Sequence, residues 1–171
     1  MRVVAVLGYS GSGKTTTIEH LTSTLALRGM SVGVIKHIHA KHTYVEPSRD
    51  TERFVKSGAN LVVGVDQDGL HLFLKSGGLE KAFDLMKKAS PDYLFVEGFN
   101  THPLLRGDNV VCIVCAKTED EAVELIEKHA PRRIVCVTGV LANTSKKEEV
   151  RGVPILRLPS STSRLIQLIS S

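Results

Sequence analysis

The chain has 171 residues, 42% of them hydrophobic, with 22 Lys and Arg against 18 Asp and Glu for a net charge of +4. That length supports a real core without staples, so residues 1–171 are expected to form a single domain, and the mild positive balance favours anionic ligands. An aromatic share of 5% without Trp argues against a nucleic-acid platform, and no apolar stretch nears the ~20 residues that cross a bilayer, so a cytoplasmic protein with no membrane or nucleic-acid partner is expected.

Val3-Val4-Ala5-Val6-Leu7 reads as a buried strand and runs directly into Gly8-Tyr9-Ser10-Gly11-Ser12-Gly13-Lys14-Thr15, a full G-x-x-x-x-G-K-[ST] phosphate-binding loop. Gly8, Gly11 and Gly13 permit positive φ and close backbone approach, so that the N–H groups of the loop, Ser10 and Ser12 included, turn toward phosphate oxygens. Lys14 brings a point charge, the Thr15 hydroxyl suits a Mg²⁺ ligand, and Thr16 adds a further phosphate contact. Thr15 to Gly29 reads as a helix with Ile18, Leu21, Leu25 and Leu27 on one face, its positive N-terminus toward the phosphates. The plain alternative is a Gly/Ser turn without function.

Further strands are expected at Ser31–Lys36, Asn60–Val65, Leu70–Leu74, Tyr93–Val96, Asn109–Cys115, Ile134–Val137 and Ile155–Leu158. Helices are expected at Asp50–Ser57, Gly78–Lys88, Glu119–Lys128 and Ser161–Ile169, with Ala142–Gly152 a solvated loop or short helix. Asp66-Gln67-Asp68-Gly69 marks a β-hairpin that interrupts the strand–helix alternation. The fold class is α/β, a P-loop type with a mainly parallel sheet flanked by helices on both faces and a hairpin insertion. Ligands gather at the carboxyl ends of such strands. Cys112 and Cys115 lie three apart on one strand and face opposite ways, which suits buried structural cysteines better than a metal or redox pair.

Three groups fall at that carboxyl edge. Glu97, ending Tyr93-Leu94-Phe95-Val96, stands where a P-loop protein keeps a second Mg²⁺-associated carboxylate, or else caps the strand. Lys36-His37-Ile38-His39-Ala40-Lys41-His42 follows the second strand; if the strand continues, His37 and His39 share a face. Anion or substrate contact, a solvated basic loop and a transition-metal site all fit that cluster. Asp50, within Arg49-Asp50-Thr51, suits either orientation of Mg²⁺-bound water or a helix N-cap.

The phosphate loop, Lys36-His37-Ile38-His39, Pro47-Ser48-Arg49-Asp50-Thr51, Ser57-Gly58-Ala59 and Val96-Glu97-Gly98-Phe99, in this order over the first hundred residues, resemble the MobB family of molybdopterin-guanine dinucleotide biosynthesis adaptor proteins. After Phe99 the likeness is one of length and βα rhythm. The resemblance implies a GTP-binding, weakly GTP-hydrolysing homodimer that assists the guanylyltransferase MobA and binds molybdopterin in a shared cleft. Carried over, Gly11, Gly13, Lys14, Thr15 and Thr16 hold GTP and Mg²⁺, Asp50 and Glu97 serve the metal, Lys14, Asp50 and Glu97 serve any hydrolysis, and His37 and His39 line the cleft. Guanine preference follows from the resemblance alone, since Val137-Thr138-Gly139-Val140 lacks the Lys and Asp of a base-recognition motif. A small-molecule kinase would use the same loop but needs an arginine-rich lid, and Arg132-Arg133 is the one adjacent arginine pair. A metallochaperone NTPase would use the histidines.

Overall fold

In the computed structural model, Arg2–Leu7 forms strand β1 at the centre of a five-stranded parallel sheet. The sheet's other strands are β2 (Val32–Lys36), β5 (Tyr93–Glu97), β6 (Val110–Cys115) and β7 (Arg133–Thr138), in the order β2-β5-β1-β6-β7. The structure describes residues 1–38, 53–54, 56–74 and 77–171. By packing, the chain divides into two units, Met1–His37 with Met86–Ser171, and Ile38–Leu85.

Every residue of β5 and β6 is buried, as strands covered on both faces must be. On one face Val4, Val6, Phe95 and Ile113 join a cluster with Ile18, Leu21 and Leu25 of helix α1 (Lys14–Leu27) and Leu165, Ile166 and Ile169 of helix α5 (Thr162–Ser170). Ala5, Leu7, Leu94, Val96, Cys112 and Val114 alternate to the other face and are fully buried there. At ~1.5–3 kcal/mol for each large apolar side chain buried, these two layers dominate the favourable terms that hold the strand ends in place. Cys112, Cys115 and Cys136 are free and buried, and Cys112 and Cys115 face opposite ways as their spacing requires. Burial pushes the Cys115 thiol up to about 12 and raises Cys136 as well, which leaves them unreactive.

Helix α3 (Glu119–His129) starts on a reciprocal cap: the Glu121 N–H donates to Thr118 Oγ1 at 3.2 Å, and the Lys117 N–H donates to Glu121 Oε2 at 2.8 Å. Its first turn is acidic and its last turn carries Lys128 and His129, in keeping with the helix dipole.

Three expectations need correction. Leu27 is 90% exposed, because two residues beyond Leu25 is about 200° around the helix, away from the buried stripe of Ile18, Leu21 and Leu25. Ile155–Leu158 is not a strand. Leu156 N–H bonds Val137 O at 2.9 Å, but the Thr138 hydroxyl takes the Leu156 carbonyl at 2.8 Å and the Arg157 carbonyl accepts from Ser161 N–H, so pairing stops at one bridge. Ala142–Gly152 starts as the short helix, one of the two expected alternatives, but is not all helix or loop: helix α4 (Val140–Thr144) leads into strand β8 (Glu149–Val150), which pairs antiparallel with β9 (Val153–Pro154).

Within the second unit, β3 (Leu61–Val65) and β4 (Leu70–Leu74) form the expected antiparallel hairpin. Asp66 Oδ1 fixes the turn by accepting from the N–H groups of Asp68 at 2.8 Å and Gly69 at 3.0 Å, and its Oδ2 pairs with His71 Nε2 at 2.7 Å. Period-two alternation places Leu61, Val63 and Val65 opposite Leu74, Leu72 and Leu70 on one face, and all six are exposed, from 40% to 76%. The two strands enter from residues before β3 and leave toward helix α2 (Leu79–Ala89). Of the expected helix Asp50–Ser57, Arg53, Phe54 and Lys56 are helical and the Ser57 N–H donates to the Arg53 carbonyl at 2.9 Å, while residues 50–52 and 55 lie outside the described residues.

Candidate functional site

The end of β1 delivers the chain into the phosphate loop, and α1 begins at Lys14 as soon as the loop closes. Gly11 and Gly13 take φ of 73° and 94°, so the loop's N–H groups turn inward without steric cost. The fit beneath the loop is tight. A Cβ on Gly8 would meet Ser12 Oγ at 2.5 Å, and one on Gly139, just past β7, would overlap the Ser12 carbonyl oxygen. Ser12 is fully buried, its hydroxyl lies under the loop with no partner, and its carbonyl accepts from Val140 N–H at 3.3 Å. The Ser12 N–H donates to the Tyr9 carbonyl at 3.4 Å, whereas Ser10 and Gly11 are exposed at the rim. The Tyr9 hydroxyl donates to the Glu124 carboxylate, which ties the loop to α3 and raises the Tyr9 hydroxyl above its ordinary range.

Lys14 Nζ donates to the Tyr9 carbonyl at 2.7 Å, so the ammonium is held across the loop. Thr15, on the first turn of α1, donates its hydroxyl to Glu97 at 3.0 Å and 3.2 Å. Lys36, at the end of β2, places Nζ 3.0 Å from Thr15 Oγ1 and 3.3 Å from Glu97 Oε2. Glu97 is 8% exposed, and the ammonium of Lys36 offsets what would otherwise be a costly buried charge. These three groups come together because β2 and β5 end, and α1 begins, at the same edge of the sheet.

β2 does not continue through His37. The His37 N–H donates to the Glu97 carbonyl at 2.9 Å as the last bond of the pair, after which Gly98 at φ 86° turns the chain aside. A Cβ on Gly98 would stand 2.6 Å from His37 Cβ, so only glycine lets the two segments pass. The His37 ring packs on Phe99 with centroids 4.4 Å apart. His39 and Asp50 lie outside the described residues. Among the described residues no group of three or more His, Cys, Asp and Glu side chains could hold a metal ion.

Sequence reasoning missed a cavity of about 330 Å³ next to the loop, bounded by Gly13, Thr16, His20, Thr138, Val140 and Asn143 together with Leu158 and Pro159. Its signal was the rule of strand carboxyl ends applied to β7, whose last residue is Thr138. The volume falls within the range of small-molecule sites, and the mix of hydroxyls, one amide and apolar walls suits a nucleoside.

The residues fit a nucleotide: a loop whose Gly11 and Gly13 take positive φ, a lysine across it, and a hydroxyl–carboxylate pair that already receives a cation from Lys36. A parallel sheet whose central strand feeds a glycine-rich loop at a helix N-terminus defines the P-loop class of folds. The chain belongs to the family of molybdopterin guanine dinucleotide synthesis protein B, MobB, whose model matches residues 3–138. The family match thus runs well past Phe99, where the motifs end. A relative from Methanocaldococcus jannaschii is 31% identical over 129 residues, covering 75% of this chain and 53% of its own. The molybdopterin-guanine dinucleotide biosynthesis adapter protein of Escherichia coli K12 is 32% identical over 103 residues, covering 57% and 58%. The chain therefore spans little more than half the length of these relatives. The crystal structure of Bacillus subtilis MobB superimposes with a TM-score of 0.73 at 21% identity, covering 98% of both chains.

Proposed function

We propose that this chain is a GTP-binding adaptor in the attachment of GMP to molybdopterin, acting with the guanylyltransferase MobA and doing little chemistry alone. The carrying observation is the meeting of Thr15, Lys36 and Glu97 within 3.3 Å beside the phosphate loop, in a chain of this family. Backbone N–H groups from Gly8 to Gly13 and the Lys14 ammonium would hold the phosphates, and Thr16 and the neighbouring cavity the nucleoside. Thr15 and Glu97, with Asp50 assigned by the resemblance, would hold Mg²⁺, which supplies charge neutralisation for weak hydrolysis. His37, seated on Phe99, and His39 belong to the cleft shared with molybdopterin. Residues 1–171 then act as one cytoplasmic nucleotide-binding domain carrying a hairpin insertion, and family membership weighs against the kinase and metallochaperone alternatives.

Adding the protein to guanylyltransferase, molybdopterin, Mg²⁺ and GTP should raise the yield of guanine-dinucleotide cofactor. No gain, together with rapid phosphoryl transfer to an unrelated small molecule, would replace this reading with the kinase.

The homodimer rests on the hairpin's six exposed apolar side chains, a face that a monomer would leave wet. Val63 and Leu72 are cross-strand partners, so Val63→Lys with Leu72→Glu preserves the pair while burying charges in any subunit contact. Self-association should weaken by about a hundredfold or more. Light scattering checks it, and a wild-type monomer at micromolar concentration would remove the dimer from this reading.

A further inference from the structure

A second cavity of about 330 Å³ lies at the opposite ends of the strands from the phosphate loop. The segments that meet there are the loop after β5, the residues leading into β6, the last turn of α3 and the residues leading into β7. They contribute Thr101, Arg106, Asp108, Lys128, His129 and Arg132. Three permanent cations face one carboxylate, a surplus of two positive charges in one concave space. No ion pair among the described residues takes up the charge of Arg106, Lys128 or Arg132.

Two polar groups there are buried without hydrogen-bond partners among the described residues. His129 is only 4% exposed and its Nε2 bonds nothing. Arg132 donates through Nη2 to the Asn100 carbonyl at 2.8 Å, which fixes the guanidinium, and its charge also acts on the Cys112 thiol, yet among the described residues no acceptor meets hydrogen-bond geometry at its Nη1. Leaving such groups unmade costs ~1–3 kcal/mol each, more for a charged group, so a site that keeps two of them beside unpaired cations is built for an acceptor that comes from outside. Burial first, and then the positive charges of Arg132, Lys128 and Arg106, hold the His129 imidazole below its ordinary range, which places those charges on the same small volume.

We propose that this cavity binds the phosphate group of a small phosphorylated molecule, at a site separate from the nucleotide loop. A phosphate monoester near neutral pH carries close to two negative charges and several acceptor oxygens, matching the charge surplus and the donors that converge from separate segments. A carboxylate carries one charge and two oxygens in a plane, and would leave part of both unmet. The concave shape favours a small molecule over a nucleic-acid backbone.

The test is a residue-resolved amide chemical-shift titration of the ¹⁵N-labelled full chain with glycerol phosphate, inorganic phosphate and acetate, because the phosphate loop also responds to phosphate. The two phosphates should move the amides of Thr101, Gly107, Asp108, Ala130 and Arg132 at millimolar concentration, as a group distinct from Gly11 to Thr16. Arg106→Gln with Lys128→Gln changes two exposed side chains, and should weaken the response of the first group by about tenfold or more while sparing the second. Silence of the first group would mean that the cavity holds water only, and an equal response in the double variant would remove the cations from the site; either overturns the proposal. Equal affinity for acetate would overturn the phosphate assignment.

Discussion

A folded Lys14→Ala variant should bind GTP about a hundredfold more weakly than the parent chain, a loss of ~3 kcal/mol from one or two charge-assisted contacts to phosphate. Among the described residues the Lys14 ammonium has one hydrogen-bond partner, the Tyr9 carbonyl, and the side chain is not part of the core cluster. Its removal therefore costs the fold about one hydrogen bond, ~1 kcal/mol, and α1 keeps its buried stripe of Ile18, Leu21 and Leu25. Calorimetric titration beside a thermal melt separates the two effects. Unchanged GTP affinity in a variant that melts normally would remove the loop from the nucleotide site.

Glu97→Gln should lower GTP hydrolysis by about a hundredfold, the usual scale for removing one group that stabilises transition-state charge, with little effect on binding measured without Mg²⁺. Glutamine retains an oxygen that accepts from the Thr15 hydroxyl, so the 3.0 Å contact survives while the charge opposite Lys36 is lost. The Lys36 side chain is 35% exposed and can turn to water, which keeps the stability cost small. Single-turnover hydrolysis at the parent rate would reduce Glu97 to an anchor for Thr15 and Lys36.

The sheet was legible because its strands are short apolar runs bounded by glycine and polar turns, and every one of β1, β2, β5, β6 and β7 stands within two residues of its expected start and end. Ile155–Leu158 carried the same apolar signal but not the decisive fact, which is that the side chain of Thr138 would claim the Leu156 carbonyl. Leu27 failed for a simpler reason: it closes the helix two residues past Leu25, where hydrophobicity no longer coincides with the buried stripe. At the site, the loop, Thr15 and Glu97 could be placed from spacing alone, because each sits at a strand or helix terminus on one edge. The contact of Lys36 with both Thr15 and Glu97 could not, since it depends on the order β2-β5-β1, and sequence order separates those strands by the whole hairpin unit. The two cavities were invisible for the same reason, as each collects residues from segments far apart in the chain.

Lys36 gives the buried carboxylate of Glu97 a counter-ion that is part of the chain itself. Charge balance at Glu97 thus comes from the chain itself, so the strand end that carries this carboxylate needs no divalent cation as its counter-charge.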